Sequence, residues 1–358
     1  MEQVKQLKVD YPWTQAPLVS CGPMRLVALA SLATEVSRAG GLGFLGAGSD
    51  VSTLGEELEK AKQLQAGAQA LREVTEVMPI GIGFLLWAGE KLLTDALPLI
   101  EKYKPAAVWL FAPNESSQFE QWTREVRRVT NRRTKIWIQI GTVKDALEVA
   151  KTCQPDVLVV QGQDAGGHGL QEAAGLVALL PEVDEAVSAL CSSEKLNKPV
   201  LTAAGGIMDG RGAAAAIALG AFGVTLGTRY LVAPESNIAK GYRDAVLAAS
   251  DGGVNTARGK LYDTLRGTKD WPERFGGRGV LNETWHDAQQ GMSLEENQKL
   301  YDEAMKQGDA GWGASARLTT YAGAGVGLAN SIKSAARITE EVRDDAKRIL
   351  KQTSKYMI

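Results

Sequence analysis

The stretch Val157–Gly169 reads VLVVQGQDAGGHG, and it joins a short apolar strand to a glycine-rich turn that holds a histidine. Near-continuous apolar runs of this length are typical of strands covered on both faces, as in parallel sheets. Similar runs recur along the first two thirds of the chain. The eight predicted strands are Pro17–Ser20, Leu42–Gly46, Ile80–Phe84, Ala106–Phe111, Lys135–Ile140, Asp156–Gln161, Pro199–Ala204 and Gly223–Gly227.

Helical patterns separate these strands. They cover Leu26–Ala39, Leu54–Thr75, Lys91–Lys102, Ser116–Asn131, Val143–Thr152, Gly175–Leu190 and Gly210–Leu219. Strand–helix alternation at this spacing predicts parallel βαβ units. Eight units favour an α/β fold of the (β/α)₈ TIM barrel type, although the spacing by itself leaves an open, doubly wound sheet as the alternative.

The alternation stops after Val232. Residues 240–313 are polar, rich in Gly, Asp and Trp, and contain no apolar strand run. Because a structureless loop of that length would be unusual, we predict a small, mainly helical or irregular insertion after strand eight, with one helix at Leu294–Gln307. The last barrel helix is expected at Ala329–Lys351. The predicted organisation is therefore a barrel from residues 1–239 and 320–358, with an inserted substrate-pocket or lid subdomain at 240–319.

Composition narrows the class of protein. A plain barrel takes roughly 250 residues, which leaves about a hundred of the 358 for an insertion. The formal net charge of −2 and the scattered Lys and Arg residues argue against a nucleic acid partner. Three distant cysteines and two histidines give neither a disulfide framework nor a zinc site, so no metal is expected.

Neither a signal peptide nor a membrane span is expected. Residues Met1–Tyr11 contain no apolar core of signal-peptide length, and no run of about 18 apolar residues occurs in the chain. The default expectation is a cytoplasmic protein without a membrane partner. Its oligomeric state, a homodimer included, stays open.

His168 is the candidate catalytic base. It follows strand six, and active sites of these barrels gather at the carboxyl ends of the strands. A neutral imidazole accepts a proton at physiological pH, and the surrounding glycines allow a flat ligand to approach closely. The alternative is an incidental surface histidine in a glycine cluster. The other histidine, His286, is expected to be a surface or packing residue.

Two glycine turns suggest a phosphate site. Gly205 and Gly206 follow strand seven, whereas Gly227 and Thr228 close strand eight. Loops at these two strands frequently bind phosphate through backbone N–H groups, and the Thr228 hydroxyl can donate to a phosphate oxygen. The alternative is that the glycines serve turn geometry alone. No dinucleotide fingerprint is present, because Gly81-x-Gly83 lies within strand three.

Two further interpretations concern residues near the barrel mouth. The Gly22-Pro23 turn after strand one would hold Met24 over the mouth, and Cys21 is interpreted as a buried structural residue. Three tryptophans lie in the predicted insertion: Trp271, Trp285 and Trp312. Core or interface packing is the favoured interpretation for them, and roofing a pocket is the alternative.

Taken together, these motifs resemble the nitronate monooxygenases, formerly called 2-nitropropane dioxygenases. The matching segments are Ala16–Met24, Gln161–Gly169, Ala203–Gly212 and Gly220–Arg229. The resemblance covers about residues 10–235 and 322–351.

The resemblance implies an FMN cofactor and a catalytic His168 that faces the substrate. It implies that the FMN phosphate is held by Gly205, Gly206, Gly227 and Thr228. It places the flavin ring near Met24, Gly83, Gln139 and Gln161, and we extend the cofactor-binding set to Pro23, Gly166 and Gly167.

The implied reaction is the oxidation of an alkyl nitronate with O₂ to a carbonyl compound and nitrite. When a neutral nitroalkane is the substrate, His168 would remove its α-proton; otherwise it would steady the anionic nitro group. The alternatives are an NAD(P)H:quinone reductase of the same FMN barrel family, a related enoyl reductase, and a flavin-binding sensor barrel without turnover.

Overall fold

The computed structural model describes residue 6 and residues 8–353, so the outer ends of the predicted barrel unit lie outside the described residues. Eight parallel strands close into a barrel in the order β1-β2-β3-β4-β5-β6-β8-β9. Their bounds are β1 Leu18–Cys21, β2 Leu42–Gly48, β3 Met78–Leu85, β4 Pro105–Phe111, β5 Lys135–Ile140, β6 Val157–Gln161, β8 Val200–Ala204 and β9 Gly223–Leu226. The predicted barrel is confirmed, and each predicted strand is present.

Helices cover the outside of the barrel and fill the segment after it. The α-helices span Ala30–Arg38, Leu54–Gly67, Gln69–Arg72, Glu90–Tyr103, Ser117–Val129, Val143–Thr152, Leu176–Glu194, Gly210–Ala218, Thr228–Leu231, Lys240–Ala248, Gly252–Asn255, Leu261–Leu265, Glu283–Gln289, Leu294–Lys306 and Ala335–Thr353. Short 3₁₀ turns occur at Leu86–Ala88, Gly308–Gly311 and Val326–Leu328. Among the described residues, no helix is both long and apolar enough to cross a membrane.

Aromatic side chains fill the barrel interior. The indoles of Trp109 and Trp137 stack with ring centroids 5.8 Å apart, and Phe44 packs against both of them. Gly81 makes room for this packing, because a Cβ there would lie 2.2 Å from the Phe44 ring. A second apolar layer lies between the strands and the surrounding helices. The interior is thus a packed core, and the open space lies above it at the mouth.

A small antiparallel sheet covers one side of that mouth. It has the order β10-β11-β7 and consists of Thr256–Gly259, Phe275–Val280 and Gly167–Leu170. Residues 167–170 form the strand β7, where the sequence predicts a glycine-rich turn, and the mainly helical segment 240–313 also contains the two strands β10 and β11. Glycine-rich strands held by backbone pairing carry no apolar run, so their sequence does not predict them.

Two helix starts also differ from their predicted positions. The first barrel helix begins at Ala30 rather than Leu26. Residues 25–27 form a turn instead, in which Leu26 has a φ of +64°. The last helix begins at Ala335 rather than Ala329, after the 3₁₀ turn Val326–Leu328. Both shifts place irregular backbone at the mouth of the barrel.

Candidate active site

A cavity of about 720 Å³ opens at the carboxyl ends of the barrel strands. All twelve residues predicted from the sequence to serve catalysis or cofactor binding line it. They are Pro23, Met24, Gly83, Gln139, Gln161, Gly166, Gly167, His168, Gly205, Gly206, Gly227 and Thr228. The structure therefore brings the predicted set together in one place.

The turn after β8 forms one wall of the cavity. Gly205 has a φ of +103° and Gly206 a φ of +73°, a region that favours glycine. A Cβ on Gly205 would lie 2.8 Å from the carbonyl oxygen of Gly162, so the turn packs closely against the end of β6. Asp209 then caps the helix Gly210–Ala218 by accepting the backbone N–H groups of Arg211 and Gly212.

Thr228 sits on the neighbouring side of the cavity. Its Oγ1 accepts a hydrogen bond of 2.9 Å from the backbone N–H of Gly323. Because Oγ1 serves there as the acceptor, its own O–H remains available as a donor. This arrangement fits the sequence-based expectation of a hydroxyl that can meet an anionic oxygen.

Gln139 presents an unused donor to the cavity. Its Oε1 accepts a hydrogen bond of 3.0 Å from Trp109 Nε1, which fixes the orientation of the amide. Its Nε2 is buried and has no hydrogen-bond partner among the described residues. An unsatisfied buried donor costs free energy of about 1–3 kcal/mol. A ligand carbonyl or ring nitrogen in the cavity would satisfy it.

His168 lies on β7 and is tied to a carboxylate from the segment after the barrel. Its Nε2 is 2.8 Å from Oδ1 of Asp263, in the helix Leu261–Leu265. The same Oδ1 accepts a hydrogen bond of 2.7 Å from the Tyr321 hydroxyl. The sequence does not point to Asp263 or Tyr321 as site residues. Asp263 lies 95 positions from His168 in the chain, and Tyr321 lies 58 positions from Asp263.

An indole covers one face of the imidazole. Trp271 stacks on His168 with ring centroids 3.7 Å apart and an angle of 2° between the planes. The favoured packing interpretation is therefore incomplete for Trp271, which lines the cavity, whereas Trp285 and Trp312 are not among the residues that line it. The second histidine, His286, is exposed, as expected.

Burial sets the protonation state of His168. It lowers the pKa of the imidazole below the usual 6.5, and the hydrogen bond with Asp263 opposes this shift only in part. Arg258 and Arg266 lower the pKa further through their positive charges. The ring is consequently neutral at physiological pH, which is the state that a general base requires.

Arg258 holds the glycine-rich turn in place. Its guanidinium donates to the backbone carbonyls of Ala165, Gly167 and Gly276 at distances of 2.5, 2.7 and 2.7 Å. Burial lowers the pKa of this guanidinium to about 10, so it stays charged at neutral pH. Three charge-assisted hydrogen bonds fix the backbone just before His168 and join it to the neighbouring strand β11.

The three cysteines are buried and form no disulfide with one another: Cys21, Cys153 and Cys191. Burial raises the pKa of the Cys21 thiol well above its ordinary value. A thiol in that state is a poor nucleophile. The structural interpretation of Cys21 therefore fits its surroundings.

Residues 6–260 match the family described as nitronate monooxygenase. A nitronate monooxygenase of Metarhizium robertsii, npaC, is 44% identical over 349 residues, which cover 96% of this chain and 95% of the relative. A nitronate monooxygenase of Neurospora crassa is 35% identical over 365 residues, with 97% and 93% covered.

Solved structures share the fold. A nitroalkane oxidase of Streptomyces ansochromogenes superposes with a TM-score of 0.71 at 22% identity, covering 97% of this chain and 99% of that one. FabK of Thermotoga maritima gives a TM-score of 0.70 at 23% identity, with 98% of each chain covered. At these identities the likeness concerns the fold alone. The match over residues 6–260 and the two near full-length relatives show the family: the chain is a member of the nitronate monooxygenase family.

Proposed function

We propose that the protein is an FMN-dependent enzyme that oxidises alkyl nitronates, and neutral nitroalkanes, with O₂ to carbonyl compounds and nitrite. The observation that carries this proposal is His168, a neutral imidazole held at the mouth of the barrel inside a cavity with unused polar donors. The family and the names of its relatives agree with this chemistry.

The residues present fit a flavin. The orphaned Nε2 of Gln139 offers a donor to a ring carbonyl or nitrogen, and the turn at Gly205 and Gly206 leaves the backbone accessible to a phosphate. The Thr228 hydroxyl is a second candidate donor to that phosphate. FMN, once bound there, would supply the electron acceptor that none of these side chains provides.

The protein's own contribution is to bind, orient and deprotonate. His168 would remove the α-proton of a neutral nitroalkane or, once protonated, steady the negative nitro group of a nitronate. Trp87, Phe111 and Trp271 line the cavity beside it and give the alkyl part of the substrate an apolar surface. Such a wall excludes water and keeps the proton transfer local.

We further propose that residues 240–319 act as the pocket-forming unit of the enzyme. The support is that Asp263, Arg266 and Trp271 of this segment line the same cavity as the barrel residues. A cytoplasmic location and a homodimer stay predictions, which cell fractionation and light scattering would test.

The test combines a spectrum with two histidine variants. The purified protein should show an oxidised flavin spectrum, release FMN on denaturation, and bleach when propyl-2-nitronate is added without oxygen. We expect His168→Asn to lower kcat/KM for nitroethane by roughly 10²–10⁴-fold, because the general base is lost. The matched control, His286→Asn, removes the exposed histidine and should keep wild-type kinetics.

Three results would contradict the proposal. A flavin that ignores nitronate but bleaches with NADH or NADPH would favour the quinone reductase instead. An unaltered kcat/KM in His168→Asn would remove that histidine from the chemistry. Tight flavin binding without turnover of any substrate would favour the sensor barrel.

A further inference from the structure

Asp263 is a buried carboxylate with an uneven set of partners. Its Oδ1 receives His168 Nε2 at 2.8 Å, the Tyr321 hydroxyl at 2.7 Å and the Thr268 hydroxyl at 3.2 Å. Its Oδ2 is buried, with no hydrogen-bond partner among residues 6 and 8–353. Among the described residues, no lysine or arginine forms an ion pair with it. A buried carboxylate is costly without partners, so the hydrogen bonds at Oδ1 stabilise it.

This geometry decides which nitrogen of the ring carries the proton. A carboxylate accepts hydrogen bonds, so the neutral imidazole of His168 has its proton on Nε2, facing Asp263. The other nitrogen, Nδ1, then keeps its lone pair, and it has no hydrogen bond with any described residue. Trp271 covers one face of the ring and Tyr321 approaches it edge-on at 5.3 Å, so the ring is held in this orientation.

We propose that Asp263 is a positioning residue that fixes His168 in the Nε2–H tautomer and thereby assigns Nδ1 as the atom that takes the α-proton of a nitroalkane. The proposal rests on the proposed function, because it names the basic atom of that site. It also gives the segment after the barrel a direct part in the reaction.

The proton transfer balances without a further reactant. The α-carbon–hydrogen bond of the neutral nitroalkane breaks, the proton goes to Nδ1, and the electron pair spreads onto the nitro oxygens to give the nitronate. The imidazolium that results keeps its hydrogen bond to Asp263, whose negative charge stabilises it. The proton stays on the imidazole, and the step moves none to Asp263.

A nitronate has already lost this proton, so the two substrates separate the role of Asp263 from a general loss of structure. In Asp263→Asn, the amide N–H of the new side chain would donate to Nε2, and the ring proton would move to Nδ1. We expect kcat/KM for nitroethane to fall roughly 10²–10⁴-fold, and kcat/KM for ethyl nitronate to change by less than about tenfold.

The pH profile offers a second kinetic signature. Asp263 raises the pKa of His168, whereas burial, Arg258 and Arg266 lower it, and the Tyr321 hydroxyl faces the same carboxylate. Loss of the carboxylate charge therefore moves the acid limb for nitroethane to lower pH while the plateau falls. Asp302→Asn is the matched control, because Asp302 is an exposed aspartate of the same segment that accepts only from Gln298 among the described residues.

The tautomer can be observed without turnover, because the chain has only two histidines. Long-range ¹H–¹⁵N spectra of histidine-labelled protein, assigned with His286→Asn, should show His168 protonated at Nε2 in the wild type and at Nδ1 in Asp263→Asn. A wild-type ring protonated at Nδ1 would overturn the proposal, even if the variant failed to fold. Equal losses of kcat/KM for nitroethane and for ethyl nitronate in Asp263→Asn, with His168 still protonated at Nε2, would also overturn it. A wild type with the expected tautomer but no activity on either substrate would instead contradict the proposed function.

Discussion

The barrel strands and the segment 240–319 both supply the cavity, but they do so by different physical means. The barrel contributes the glycine turns at Gly205, Gly206 and Gly227, held by a core of apolar strands, and the side-chain donors Gln139 and Thr228. The segment contributes polar side chains: Asp263 contacts His168 on β7, and Arg258 donates to the backbone carbonyl of Gly167 beside it. The barrel forms the space, whereas the segment sets the orientation and charge of His168.

The largest expected effect on stability comes from removing the arginine that joins the two regions. Arg258→Met would leave the carbonyls of Ala165, Gly167 and Gly276 without their charged donor in a buried place. We expect the free energy of unfolding to fall by roughly 2–5 kcal/mol and nitroethane turnover to fall with it. Denaturant titration and steady-state kinetics measure the two effects.

The matched control is Arg274→Met, also in the segment. Arg274 is half exposed and pairs with Asp145 on the surface, so its loss should cost less than about 1 kcal/mol. If Arg258→Met cost no more than this control, the segment would not hold the catalytic turn, and the contrast between the two regions would fail.

A smaller loss of stability is expected when a glycine in the barrel turn after β8 is replaced. Gly205→Ala would place a Cβ 2.8 Å from the carbonyl oxygen of Gly162 and force an alanine to a φ of +103°. Backbone strain of this kind costs about 1–3 kcal/mol, and the turn would move away from the cavity. We expect less flavin in the purified protein, measured as the ratio of visible to ultraviolet absorbance.

Gly253→Ala is the control for that variant. In the part of the chain that the structure describes, no atom lies within 4 Å of a Cβ built on Gly253, and the φ of Gly253 lies outside the left-handed region. Its flavin content should match the wild type. Full flavin content in Gly205→Ala would mean that the turn after β8 does not form the cofactor site.

The same two regions differ in how much their sequence reveals. The barrel could be predicted because buried parallel strands need continuous apolar runs such as Val157–Val160, and because strand ends at Gln161 and Ala204 carry glycines next to them. The predicted site residues lie near the carboxyl ends of barrel strands or in the segments that follow them. Their side chains act close to their position in the chain, so local patterns suffice.

The segment's contribution could not be predicted in the same way. Asp263 and Arg258 lie in polar stretches that look like solvated surface, and only a fold that buries them gives them a role. The strand β11 is glycine-rich and β10 is only four residues long, and both pair through the backbone, so they lack the alternating pattern of ordinary strands. Trp271 was noted as one of three tryptophans, but nothing in the sequence separates it from Trp285.

The smallest expected effect is a shift in the pH profile, which distinguishes Trp271 from Trp285. Trp271→Leu removes the ring that covers one face of His168, so water reaches the imidazole and its lowered pKa rises back toward 6.5. His168 is active as a base only when neutral, so the acid limb of kcat/KM for nitroethane should move to higher pH. Trp285→Leu alters a tryptophan outside the cavity lining and should leave that limb in place. An NMR titration of His168, whose signals are assigned with His286→Asn, measures the same pKa directly. An unchanged pKa in Trp271→Leu would mean that the barrel and the carboxylate of Asp263, rather than the tryptophan, keep the imidazole away from water.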